Sequence, residues 1–257
     1  FGELQGLRRS GSPKKLELLP YSVGKLDTRN ADTNNPLTDS REPGGSVGLD
    51  MKYAVTPGLT LTGTVNPDFG QVEADPAVVN LDAFETFFPE RRPFFVEGSG
   101  TFRFNMDCND GACTGLFYSR RIGRAPQGSV STGSQEYSTQ PDAATIIGAG
   151  KLTGRAGGFA IGALTAVTAM EDAEIAKAGN VGHRVQTIEP MTGYTVLRAR
   201  REFANQSSLG FMTTATNRQV NADTSFLGDN AYTGGVDYDW RLSRMYSVTG
   251  YVAGSTI

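Results

Sequence analysis

The sequence predicts an all-β protein: part of an antiparallel transmembrane β-barrel of about ten strands, with one short helix-and-loop element inserted into the lumen. Three observations predict it. Apolar and polar residues alternate with period two over segments close to the ~9–11 residues of a tilted membrane strand. The connections between these segments alternate between tight turns and long polar loops, as they do in outer-membrane barrels. No run approaches the roughly 18 consecutive apolar residues that a membrane-crossing helix requires.

Composition agrees with this class and removes others. The 257 residues carry 24 basic and 27 acidic side chains, a formal net charge of -3, so no nucleic-acid partner is expected. The hydrophobic share of 38% is low for a soluble enzyme core but fits strands whose alternate residues face water. The chain opens on "FGELQGL" and closes on "GYVAGSTI" in a strand-like pattern, and so reads as a piece of a longer protein or its ordered part. Residues 1–257 are taken as one barrel segment.

In chain order, "LELLPYSVGKL" is the first strand, followed by a polar connection over 27–45. In "SVGLDMKYAV", Val47, Leu49, Met51, Tyr53 and Val55 share one face, with Gly48, Asp50, Lys52 and Ala54 opposite. The turn "TPG" leads into "LTLTGTVNPD", where Leu59, Leu61 and Val65 alternate with Thr60, Thr62 and Thr64, giving a hairpin. A long connection over 66–115 follows, and then "GLFYSRRIG" reads as a further strand. Beyond a loop over 125–144, "TIIGAGKLTG" turns through "RAG" into "GGFAIGALTAV". After the loop over 169–191, "TGYTVLRARREFA" pairs through "NQS" with "SLGFMTTATNRQV". The loop over 221–230 precedes "YTGGVDYDWRLS", in which Val236, Tyr238, Trp240 and Leu242 alternate with Asp237, Asp239 and Arg241, and which turns through "RM" into "YSVTGYVAGS".

A soluble β-sandwich would also alternate, but its strands are shorter and its loops similar in length at both ends. In a barrel, the charges Asp50, Lys52, Lys151, Arg198, Arg200, Asp237, Asp239 and Arg241 line a wet lumen, because charge on the lipid face costs about 2–4 kcal/mol near the midplane. Register tests this assignment. Tyr21, Tyr53, Tyr194, Phe203, Tyr232 and Tyr246 lie near strand ends, where an interfacial aromatic girdle would sit.

The connection over 66–98, "NPDFGQVEADPAVVNLDAFETFFPERRPFFVEG", departs from this pattern. Pro67 and Gly70 break the ladder. Asp75 is placed to cap a helix opening at Pro76, in which Val78, Leu81, Phe84, Glu85 and Phe88 fall near one mostly apolar face, and Pro89 and Pro93 end it. An amphipathic helix inserted between barrel strands buries its apolar side most economically inside the lumen. Arg91 and Arg92 then stand beside Glu90 and Glu97. With Arg120, Arg121 and Arg124 of "SRRIGR" they form either a charged eyelet facing Asp68, Glu73 and Asp75, or a set of mutual pairs that anchors the loop to the wall.

Asp68, Glu73 and Asp75 also offer hard oxygen ligands for Ca²⁺, although the spacing matches no EF-hand and such residues more often cap and turn; no other cofactor is expected. Cys108 and Cys113 in "CNDGAC" close a small surface disulfide loop over 105–114 in an oxidising compartment, or remain two loop thiols. Catalysis finds no motif. His183 stands in a glycine-flanked loop far from any nucleophile signature, and Glu73, Asp75, Glu85 and Glu90 are glycosidase candidates in number only.

The long motif over 66–98, "FYSRRIGR", "IIGAGKLTGRAGGFAIGALTAVTA" and "EPMTGYTVLRARREF" together resemble a bacterial family of outer-membrane β-barrels without an agreed activity. Its members usually carry an N-terminal carbohydrate-binding domain of family nine type, which this sequence lacks. The resemblance spans the chain from "FGELQGL" to the last strand. It implies residence in the bacterial outer membrane against a lipid bilayer, with further strands or a partner chain completing the wall. It transfers no catalytic residue, and it suggests oligosaccharides only through the companion domain. The function expected is passage or surface capture of small solutes. The alternative is a non-conducting structural barrel whose loops bind partner proteins or surface glycans, and a membrane-embedded hydrolase is a more distant third.

Overall fold

The computed structural model describes residues 15–30, 32, 34–67, 87–104, 106, 115–179 and 181–257. These form antiparallel β-structure with almost no helix: a nine-stranded sheet in the order β1-β2-β3-β5-β6-β9-β10-β11-β12 and a three-stranded sheet β4-β7-β8. The strands of the large sheet are β1 (Leu16–Thr28), β2 (Arg41–Thr56), β3 (Leu59–Val65), β5 (Ile146–Ala156), β6 (Phe159–Thr168), β9 (Thr192–Glu202), β10 (Ser208–Arg218), β11 (Asn230–Arg241) and β12 (Ser247–Thr256). The small sheet holds β4 (Glu136–Thr139), β7 (Glu171–Lys177) and β8 (Val181–Glu189). Among the described residues the large sheet is open. Its edges β1 and β12 do not pair with each other, so no closed barrel is found; the sequence predicts only part of one.

Each strand of the large sheet pairs with its nearest neighbours in sequence, apart from the insertions, and every pairing is antiparallel. One end of the sheet carries the short turns. The β5–β6 hairpin closes on Gly157 and Gly158 with φ of 58° and 81°, a left-handed pair that only glycine adopts cheaply and that matches the strand twist. The other end carries the connections over 29–40, 66–145, 169–191 and 219–229. The small sheet belongs to that second end.

Register sorts the side chains by face. Lys52 lies opposite Thr62, which lies opposite Lys151. Gly162 lies opposite Arg198, which lies opposite Met212, and Gly210 lies opposite Arg200 and Asp237. The charges therefore share one face, called inner here because residues 87–104 cover it. The outer face carries Leu49, Ile161, Leu197, Leu209, Phe211, Val236, Trp240 and Val252, and large apolar side chains there stay exposed, Phe211 at 50% and Trp240 at 45%.

The core lies between the inner face and the inserted segment. Phe94, Phe95, Phe102 and Phe104 pack with Ile122, Ile146, Leu164, Ala166, Val196 and Met212. Burying each such ring contributes on the order of 1.5–3 kcal/mol. Two glycines in the wall make room for it: a Cβ on Gly162 would stand 2.9 Å from the Phe102 ring, and one on Gly235 2.8 Å from the Phe104 ring.

Arg198 and Asp237 form a fully buried ion pair across β10, with Nη2 donating to Oδ2 at 2.8 Å and Nη1 to Oδ1. The pair passes directly over Gly210, where a Cβ would meet Asp237 Oδ1 at 2.4 Å and the guanidinium nitrogens at 2.7 Å. Absence of a side chain there is what lets two strands be tied across a third.

Several elements differ from the sequence expectation. "GLFYSRRIG" is no strand but an irregular segment with a 3-10 turn at Ser119–Arg121. Strands β4, β7 and β8 occupy stretches expected to be polar loop. Pro93, expected to end a helix, opens the one-turn helix α1 (Pro93–Val96), where its fixed φ and missing N–H suit the first turn. Of the helix expected over 76–88 only Phe87 and Phe88 are described, and they are irregular. Tyr21 and Tyr194 point inward rather than to a girdle: Tyr21 donates to Asn66 O at 3.2 Å, and Tyr194 packs against the core.

Asp237→Ala leaves a buried guanidinium uncompensated, and the expected loss is about 3–5 kcal/mol of unfolding free energy, read by urea titration. Arg198→Met with Asp237→Leu is expected to recover most of that loss. A loss below about 1 kcal/mol in the single variant would show that the pair is solvated.

Candidate functional site

The inner face, its insertion and the loop carrying Tyr118 to Arg124 form the one region where charged, aromatic and irregular elements meet among the described residues. The segment is fastened first by lysine. Lys151, 1% exposed, sends its ammonium up from β5 to the carbonyls of Phe94 and Glu97 and lies 4.8 Å from the centre of the Phe94 ring. These are the carbonyls that a one-turn helix leaves without internal partners, so a wall cation satisfies them and is itself satisfied. Glu97 reaches back to Lys52 on β2, which ties the same turn to a second strand.

The second fastening is a carboxylate clamp. Arg92 holds Glu90 in a bidentate pair, Nε to Oε1 at 2.8 Å and Nη2 to Oε2 at 2.7 Å. Glu90 Oε1 also accepts the backbone N–H of Arg91 and of Arg92, each at 3.0 Å, and Ser119 Oγ donates to Oε2 at 2.6 Å. Arg92 spends its remaining donors on the carbonyls of Ile122 at 2.6 Å and Ser119 at 2.9 Å, and its guanidinium lies 4.3 Å from the centre of the Phe95 ring. Arg120 donates to Pro89 O at 3.1 Å, and the Tyr118 hydroxyl bridges the N–H and C=O of Phe88, each at 3.0 Å. "FFPERRPFF" and "FYSRRIG" are thereby locked together. The guanidinium capture of the Ser119 and Ile122 carbonyls explains why the second stretch is no strand.

Burial alone would raise the Glu90 carboxyl, but the hydrogen bonds from Arg92 and Ser119, with the Arg92 charge, outweigh it and hold the group at about 2. Arg121 stacks near Tyr118, with its guanidinium 6.0 Å from the ring centre. Arg124 lies elsewhere, over the loop-side end of β9 and β10. A cavity of about 740 Å³ opens beside the clamp, walled by Phe87, Phe95, Phe102, Phe104, Phe117 and Tyr118, with Glu90 and Arg103 at its polar edge.

The structure thus brings Glu90, Arg91, Arg92, Arg120 and Arg121 together and sends Glu97 to Lys52 and Arg124 to the far strands. Asp68, Glu73, Asp75, Cys108 and Cys113 lie outside the described residues, as do Asp107 and the rest of 107–114. No group of His, Cys, Asp and Glu suited to a metal ion occurs among the described residues. His183 stands on the exposed first half of β8, 3.4 Å from Glu174. The sequence reading missed the roles of Lys151 and Ser119: a lone lysine in a small-residue strand signals a buried cation, but nothing local shows what it will meet.

Folding lowers the Glu90 pKa, so its stabilisation is complete above the ordinary value of 4.5 and is lost as pH falls through about 2. The shift corresponds to on the order of 3 kcal/mol. The protection of the amides of Phe88, Glu90, Arg91 and Arg92, that is exchange relative to the intrinsic rate at each pH, is expected to fall from pH 5 to pH 2. In Glu90→Gln exchange should be fast throughout; protection that does not vary with pH would rule out the clamp.

Comparison with known proteins yields one match. No curated protein and no solved structure matches the chain. The model of a family described as a domain of unknown function, DUF5916, matches residues 12–255. That description names no activity, and it gives no support to a sugar-binding association. The match runs from the strand at the first edge of the large sheet to the strand at its last edge, so the chain belongs to the DUF5916 family.

Proposed function

We propose that the chain is a wall segment of a bacterial outer-membrane β-barrel that passes or captures small solutes, with its inserted segment narrowing the lumen. The observation that carries this reading is the inversion of the two faces. Large apolar side chains stay exposed along the outer face of the sheet, while Lys151, Arg198 and Asp237 are buried on the inner face. A soluble sheet would gain by the reverse arrangement; a lipid-facing sheet requires this one. Strand lengths support it: β5, β9 and β10 have 11 residues each, and β6 and β12 have 10. So does the placement of short turns at one end and long connections at the other.

On the outer face near the turn end, Phe203 and Trp240 lie 6.1 Å apart, and Arg201 stacks within 5.3 Å of Phe159 and 5.6 Å of Phe203. Aromatic rings with a snorkelling arginine are what a membrane–water interface selects. Further strands, of the same chain or a partner, would complete the wall from the open edges β1 and β12. Oligosaccharides enter as candidate solutes through the family resemblance, and the phenylalanine-lined cavity offers ring faces against which a solute can pack.

A second reading, a non-conducting scaffold, is favoured by one observation: the core of Phe94, Phe95, Phe102 and Phe104 fills the inner face at the level of Leu164 and Val196. Planar-bilayer conductance of the reconstituted protein separates the two. Steady current that increases when the clamp is released by Glu90→Ala with Arg92→Ala is expected. Silence in both proteins would overturn passage and leave the scaffold.

A further inference from the structure

Arg124, grouped by sequence with the arginines of the clamp, is held in a different environment. Gly123 adopts φ 75° with its Cα so close to Ile146 that a Cβ would stand 3.0 Å from that side chain, and Arg124 O accepts the N–H of Ala144 at 2.9 Å. Farther along, Gly128 N–H donates to Ile188 O at 2.9 Å, so the loop from 122 to 128 runs across the loop-side end of the inner face. This course brings Arg124 within electrostatic reach of Tyr194 on β9 and Arg218 on β10. Register places Arg218 opposite Thr192, two residues from Tyr194 on the same face.

Among the described residues, Arg124 and Arg218 have donors to spare. Arg121 and Arg218 both act on Arg124, and Glu189 is the one carboxylate acting on it among the described residues. Glu189 is 2% exposed, and its two oxygens are engaged by Gln127, from the backbone N–H at 2.8 Å and from Nε2 at 3.2 Å. The Arg124 guanidinium makes no hydrogen bond or ion pair with a described residue. Arg218 gives Nη1 to Gly228 O at 3.0 Å, while its Nε is buried without an acceptor. Half-buried guanidiniums with unspent, planar donors are the groups that recognise oxyanions. Burial, with the neighbouring charge of Arg121, lowers the pKa of Arg124, and Glu189 and Tyr194 only partly oppose it.

We propose that Arg124 and Arg218, with the Tyr194 hydroxyl, form a binding site for a small oxyanion, a carboxylate or a phosphate, at the loop-side end of the inner face. The site rests on the fold and not on passage of solute. Any acidic solute arriving from the loop side would meet it before the phenylalanine core.

The test is titration of the full chain in detergent micelles at low ionic strength with inorganic phosphate, followed by ³¹P line broadening. Saturable broadening is expected, with affinity about tenfold weaker in Arg124→Gln and in Arg218→Gln, the loss of one charge-assisted hydrogen bond. Arg124→Lys should fall between, and Arg244→Gln, in the turn at the opposite end, should bind as the parent does. Circular dichroism establishes that each variant is folded. Displacement of phosphate by acetate assigns the site to oxyanions generally; binding that acetate does not displace assigns it to phosphate. No saturation in the folded parent, or equal affinity in the folded Arg124→Gln and Arg218→Gln variants, would overturn the proposal. Because no current is measured, neither result depends on whether the barrel conducts.

Discussion

The ammonium of Lys151 is the interaction on which the rest of the structure depends. It stands on a strand of small residues, too narrow to cover a long side chain, and it is nevertheless 1% exposed. A buried cation must be met by acceptors. The carbonyls of Phe94 and Glu97 meet it, and this requires the inserted segment to lie flat on the wall with α1 directly over β5. Once that turn is placed, Phe102 falls over Gly162 and Phe104 over Gly235, and Glu97 is within reach of Lys52. The clamp at Glu90 then fixes the other end of the segment. Positions as distant in sequence as Lys52 and Arg198 are joined through one short stretch of backbone and its phenylalanines.

The same constraint explains the polarity of the sheet. The most deeply buried inner charges, Lys151, Arg198 and Asp237, are paired within the protein or spent on carbonyls. Outer positions hold large apolar side chains that stay exposed among the described residues. A nine-stranded sheet of this kind, with edges at β1 and β12 that do not pair with each other among the described residues, exposes two kinds of surface: a broad apolar face and two strand edges.

Much of this was legible in the sequence, for a physical reason. Period two is dictated by strand geometry, so "SVGLDMKYAV" and "GGVDYDWRL" revealed both their strands and their faces. Turn lengths revealed the two ends. Side chains that reach across the fold were not legible. Whether Arg92 caps its own loop or takes the carbonyls of Ser119 and Ile122 depends on a tertiary approach, and that approach turned an alternating "GLFYSRRIG" into a 3-10 turn. Strands β7 and β8 were hidden because their alternation carries few large apolar residues: Ala173 and Ile175 against Asp172 and Glu174 look like loop until a second sheet is known to exist. Arg124 and Arg218 are separated in the chain by β4 to β9, and no local pattern encodes their approach.

Trp240 gives the most direct test of the inverted faces, because it is the chain's single tryptophan and lies on the outer face, 45% exposed. Its emission should be measured with the protein reconstituted in vesicles, first with and then without brominated phospholipid, and in the presence of iodide. Blue-shifted emission, quenched by brominated lipid and insensitive to iodide, is the result expected of a lipid-facing sheet. Red-shifted emission quenched by iodide, and unchanged by brominated lipid, would contradict it and return the outer face to water.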